Sequence, residues 1–132
     1  MTTTDGDLQR FAAKITKAEF GRDRDRGHFT LCITLDFGGS GQCFVSPVLG
    51  ALATRRDETG AGLDFLRRVL DLFKACSLDE VEGRYCYALK RSLTAPIQGL
   101  ATLEPDGDRT FVVSDWQVFW FARLSPTTGG AR

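Results

Sequence analysis

Between residues 28 and 37 the chain alternates without a break, with Phe29, Leu31, Ile33, Leu35 and Phe37 on one parity and His28, Thr30, Cys32, Thr34 and Asp36 on the other. Successive side chains of a strand point to opposite faces, so this run predicts a strand with one buried apolar face and one face that tolerates water. Sheets of that kind are antiparallel, because parallel crossovers cover both faces. Something must then cover the apolar side. The candidate is residues 62–76, where Leu63, Leu66, Leu70 and Phe73 recur at helical spacing, Val69 widens the stripe, and Arg67, Arg68, Asp71 and Lys74 fall off it.

The remaining elements follow from punctuation and parity. Residues 11–20 read as a strand through Ala13 and Ile15, and the alternating charges between Gly21 and Gly27 read as an exposed turn. Gly38-Gly39-Ser40-Gly41 predicts a hairpin into a strand over residues 42–48, followed by a loop over 49–62. Ser77-Leu78-Asp79-Glu80 has capping-box spacing, and Gly83 is placed to stop a single helical turn. Further strands are expected over 84–91 and 95–103, the latter as an edge or bend because of Pro96 and Gly99. After a turn at 104–108, residues 110–114 and 116–121 supply a last strand or two. The expected fold is therefore α+β: a single, mainly antiparallel sheet of about six strands, with one main amphipathic helix and one short helix packed on one face.

A chain of 132 residues can bury one core, placed here at residues 11–124 between flexible tails at 1–10 and 125–132. Seventeen basic residues balance seventeen acidic ones, which removes the uniform positive charge of a nonspecific nucleic-acid coat. No apolar run approaches the length of a membrane span, and the polar N-terminal stretch lacks the pattern of a signal peptide, so the expected location is the cytoplasm. Cys32, Cys43, Cys76 and Cys86 form no C-x-x-C pair and are expected as buried free thiols. His28 is the single histidine, and Asp36, Glu80 and Asp115 show no paired spacing. No catalytic residue, metal or cofactor is expected.

Two features point to binding. Thirteen of the seventeen basic residues are arginine, whose planar fork grips phosphate and stacks on rings. Arg22, Arg24, Arg26, Arg84 and Arg109 fall at expected loops or strand ends, where several could meet around a small anion. Tyr85, Tyr87, Phe111, Trp116, Phe119, Trp120 and Phe121 are more aromatics than one strand face hides. They are open to three uses: core, subunit interface, or stacking a base. The run Val118-Phe119-Trp120-Phe121 suggests burial on both faces, as a homo-oligomer provides. The ligand set expected on these grounds is Arg22, Arg24, Arg26, Arg84, Tyr87, Arg109 and Trp116. The glycine-rich turn at 38–41 lacks a phosphate-loop lysine and leads into a strand, which leaves an anion-holding amide nest as the lesser alternative to a plain hairpin.

The order Ala13-x-Ile15, Phe20-Gly21-x-Asp23-x-x-x-Gly27-x-Phe29-Thr30, Leu35-x-Phe37-x-Gly39-x-Gly41-Gln42-x-Phe44, Leu78-x-x-Val81-x-Gly83-Arg84-Tyr85 and Ile97-x-Gly99 resembles small phage-encoded proteins. It departs from them at Val45-Ser46-Pro47, where further glycine and an aromatic residue are usual. Some such proteins are anti-defence factors, similar to the anti-Thoeris sponges that sequester cyclic nucleotide signals. The resemblance implies an oligomeric, non-catalytic protein in the host cytoplasm that captures a cyclic nucleotide or cyclic ADP-ribose-type signal. The alternative expectation is a protein–protein inhibitor of a host defence effector, such as a CRISPR or other nuclease. A small nucleotide hydrolase and a virion component are the remaining readings.

Overall fold

The computed structural model describes residues 8–22, 27–47, 49, 53–103 and 109–124. Strands β1 (Gln9–Arg22), β2 (Phe29–Asp36) and β3 (Gly41–Val45) form a meander, followed by helices α1 (Arg55–Phe73) and α2 (Leu78–Val81). Strands β4 (Tyr85–Lys90), β5 (Gly99–Ala101) and β6 (Thr110–Val112) complete the sheet, and α3 (Val113–Leu124) leaves it directly. The six strands are antiparallel in the order β3-β2-β1-β4-β5-β6, so the protein has the α+β architecture expected. Among the described residues no helix is long and apolar enough to cross a membrane.

The alternation in β2 works as anticipated: Leu31, Ile33 and Leu35 are fully buried against α1. In β1 the apolar parity changes midway, from Ala13 and Ile15 to Ala18 and Phe20. A bulge between Ile15 and Lys17 absorbs the change and keeps all four on the covered face. Phe65, Val69, Leu72 and Phe73 of α1 meet them, with Phe44, Cys86, Ala88, Leu100 and Phe111 from the other strands.

Five local expectations are corrected. Residues 55–62, expected as loop, are the first two turns of α1. Thr54 Oγ1 accepts the Asp57 N–H, and the Asp57 carboxylate accepts the Thr54 N–H, both at 3.0 Å, so a complete capping box starts the helix well before its apolar stripe. Residues 116–121, expected as strand, are helical. An unbroken apolar run carries no period, and here Trp116 and Trp120 share one side of α3, four residues apart. The strand over 95–103 shrinks to Gly99–Ala101. Ser77 makes no side-chain cap; Glu80 instead accepts the Cys76 N–H at 3.0 Å. Gly83 (φ 90°) ends the α2 turn as expected, and β1 begins at Gln9, inside the expected tail. The tails at 1–7 and 125–132 and the turns at 23–26 and 104–108 lie outside the described residues.

Lys90 is a charged group inside the core, 1 % exposed. Its ammonium donates to Gln42 Oε1 and to the Leu93 carbonyl (2.7 Å), and sits 4.0 Å from the Phe37 ring centroid and 5.0 Å from that of Phe11. Burial pushes its pKa below the ordinary lysine value of 10.5. The folded protein therefore releases this proton at lower pH than the unfolded chain, and stability rises with pH from the folded value up to 10.5. Urea midpoints measured from pH 7 to 10 should rise for wild type relative to Lys90→Met; parallel curves would contradict this account.

Candidate functional site

Arg84 and Arg109 do converge, and what they grip first is the C-terminus of α1. That helix has no basic residue in its last turn, so its carbonyls and the negative end of its dipole need donors from elsewhere. Arg84, just before β4, donates from Nη1 to the Phe73 carbonyl (2.6 Å) and from Nε to the Glu80 carbonyl (2.9 Å). Arg109, just before β6, donates from Nε (3.0 Å) and Nη2 (2.7 Å) to the Leu72 carbonyl. The two guanidinium groups, Tyr85, Phe73, Thr102 and Leu103 line a cleft of about 270 Å³. The ring beside them is Tyr85, 61 % exposed, with the Lys14 ammonium 5.8 Å from its centroid.

The other expected ligand residues are elsewhere. Tyr87 lies two residues along β4 with the Arg10 guanidinium 5.5 Å from its centroid, and Arg22 lines a separate open hollow with Glu19, Thr30 and Cys32. Arg24 and Arg26 lie outside the described residues. Trp116 is 2 % exposed and wedged edge-on against Phe65 at 5.0 Å, so stacking a base on it is corrected to a core role. The glycine turn is filled from within: Asp36 Oδ1 accepts the Gly38 (3.0 Å) and Gly39 (3.4 Å) amides that an anion would need. The cysteines are not uniformly buried as expected. Cys86 is buried, and burial pushes its thiol up to about 12, whereas Cys32 is half-buried and Cys43 and Cys76 are exposed.

Asp64, midway along α1, organises a second cluster and was not singled out from its sequence context. Its Oδ2 accepts the Trp116 and Trp120 indole N–H groups, each at 3.1 Å, and the Arg68 Nε–H at 2.8 Å; Arg67 reaches Oδ1 at 3.3 Å. Burial raises its pKa, but the hydrogen bonds from Trp120 and Arg68, the guanidinium charge and the Trp116 bond outweigh it. The carboxyl is held below its ordinary value of 3.8. One α1 carboxylate thus clamps α3 by both of its tryptophans. The indole partners lie 52 and 56 residues away, so no local pattern could announce them.

Clamped in this way, α3 turns its other side outward. Val118 is 68 % exposed, Phe119 43 % and Phe121 41 %, and Arg68 and Arg123 lie 5.1 and 5.4 Å from the Phe119 centroid. A soluble surface helix ordinarily puts polar residues there. Among the described residues, fold and sites together define a small α+β protein with one sheet face that carries no helix, an arginine-lined cleft and an aromatic helix face that no other element covers. Compared with protein families, with curated proteins and with solved structures, the chain matches none.

Proposed function

We propose that the protein works by binding without turnover, and that its principal contact is the outer face of α3 against another protein. The observation that carries this reading is that a helix of sequence VSDWQVFWFARL buries only Trp116 fully while leaving Val118, Phe119 and Phe121 in water. Aromatic side chains beside arginine are the composition of interface hot spots. Because Arg68 and Arg123 rim the patch, the partner that complements it has an apolar centre and an acidic edge, and a second copy would instead oppose arginine to arginine. In the setting that the likeness to phage-encoded proteins implies, that partner is a host defence effector such as a nuclease.

A tagged protein should retain one stoichiometric partner from host lysate, and the double substitution Val118→Asp, Phe121→Asp should weaken the purified pair by about thirtyfold or more. Its own stability should change by less than about 1 kcal/mol, since both positions are exposed. Unchanged affinity would sink this reading. Sedimentation of the protein alone reports on the homo-oligomer: self-association abolished by the same pair of substitutions would make a second copy the occupant.

A second reading, capture of a cyclic nucleotide or cyclic ADP-ribose-type signal, is favoured by the cleft that joins Arg84, Arg109 and the exposed Tyr85 ring. Two guanidinium groups already held by backbone carbonyls are preorganised for a phosphate. Calorimetry against a panel of cyclic nucleotides should then show heat that Tyr85→Ala removes, with the ligand recovered unchanged after denaturation. No heat with any member counts against capture.

A further inference from the structure

Cys32 and Cys43 stand on the sheet face that carries no helix, on the neighbouring strands β2 and β3. The register pairs Cys32 with Val45 and Thr34 with Cys43, so the two cysteines are diagonal neighbours on one face, about 7–8 Å apart for such a pair. Between them on the same face, Thr34 Oγ1 lies 3.8 Å from Cys43 Sγ. Cys43 is exposed and Cys32 half-buried, with Lys17 and Glu19 as its charged neighbours. Among the described residues strand β3 is an edge, hydrogen-bonded on one side only, so it can shift to let the sulfurs close to bonding distance.

We propose that Cys32 and Cys43 form a dithiol site that exchanges with small-molecule disulfides of the glutathione type and closes reversibly to an intramolecular disulfide. The Cys43 thiolate attacks one sulfur of the oxidised peptide disulfide, forming a mixed disulfide and releasing the first glutathione as thiolate. The Cys32 thiolate then attacks Cys43 Sγ, and the second glutathione leaves. Two protein thiols are oxidised, one external disulfide is reduced to two thiols, and the two protons given up by the protein thiols pass to the departing glutathiones. The order follows from access: burial and the neighbouring Cys43 push the Cys32 thiol up, which suits it to the second, resolving step beside an already activated sulfur. Closure ties the edge strand β3 to β2 across the hairpin.

Incubating the purified chain with oxidised glutathione and measuring intact mass, followed by digestion with trypsin and an Asp-specific protease, tests this directly. Asp36 separates the two cysteines, so their fragments stay together only through the new bond. The expected product is a protein lighter by two hydrogens at the Cys32–Cys43 fragment pair, while the isolated, exposed Cys76 takes a glutathionyl adduct. Cys32→Ser should arrest the reaction at a stable adduct on Cys43, and dithiothreitol should restore the starting mass. Independent adducts on Cys32 and Cys43 in wild type, a Cys43 bridge between two copies, or no reaction at either position would each overturn the proposal.

Discussion

Gly62→Ala is expected to destabilise the protein by about 1–3 kcal/mol, although alanine is the better helix former by about 1 kcal/mol. The reason is the distance between α1 and β2. A Cβ built on Gly62 would lie 2.5 Å from the Phe29 carbonyl oxygen and 3.2 Å from the Phe29 Cβ, and a strand carbonyl cannot swing aside as a flexible side chain can. The helix would have to lift from the sheet along the line where Phe65 and Val69 fill it, opening gaps in a close-packed interior. A glycine two residues earlier on the same helix supplies the control. At Gly60 the nearest atom to a built Cβ is Trp120 Cη2 at 3.9 Å, an ordinary contact. Gly60→Ala should therefore follow propensity and stabilise by about 0.5–1 kcal/mol. Urea denaturation of the two variants reads opposite signs; a stabilising Gly62→Ala would show that α1 does not sit this close to β2.

Removing the Asp64 carboxylate should cost about 2–4 kcal/mol. Asp64→Ala leaves the buried Trp116 N–H without its acceptor, frees Trp120, and strips Arg68 of its ion pair. Both tryptophans of the chain are on α3, so intrinsic fluorescence reports this helix alone, and its emission should shift to the red before the sheet unfolds. The acid response carries the same signature. Because the folded carboxyl titrates below 3.8, its contribution is complete above that pH and is lost as pH falls through the lower folded value. Wild type should keep its tryptophan emission to a lower pH than the ordinary aspartate range allows, whereas Asp64→Asn should show no such acid limb. An unchanged acid transition in Asp64→Asn would mean that the carboxylate does not hold α3. The measurement also bears on the proposed contact through α3, since that helix can present Val118 and Phe121 only while its two tryptophans are anchored.

Of the seven residues expected as ligands, Arg84, Arg109 and Trp116 are placed for other work, and each case has a physical cause. Arginines at strand ends were legible as a group, but not that Arg84 and Arg109 would meet the open carbonyls of a helix that ends without a basic residue. Tyr85 rather than Tyr87 borders the cleft, a choice made by where β4 begins relative to α1. Trp116 was read as strand, and its four-residue spacing from Trp120 becomes meaningful only once the segment is helical and Asp64 stands opposite. In the same way, Cys32 and Cys43 carry no motif, because contact across a hairpin depends on register.

From the sequence alone came the parity of β2, the apolar stripe of α1, the glycine-led turns and hence an antiparallel α+β fold, since these depend on periods of two and 3.6 residues repeated along a short stretch of chain. Only the tertiary structure decided which strands are neighbours, which guanidinium groups share a cleft, and which side of α3 is clamped and which left bare. Those outcomes join residues tens of positions apart through single hydrogen bonds and ring contacts, and such pairings leave no periodic trace along the chain.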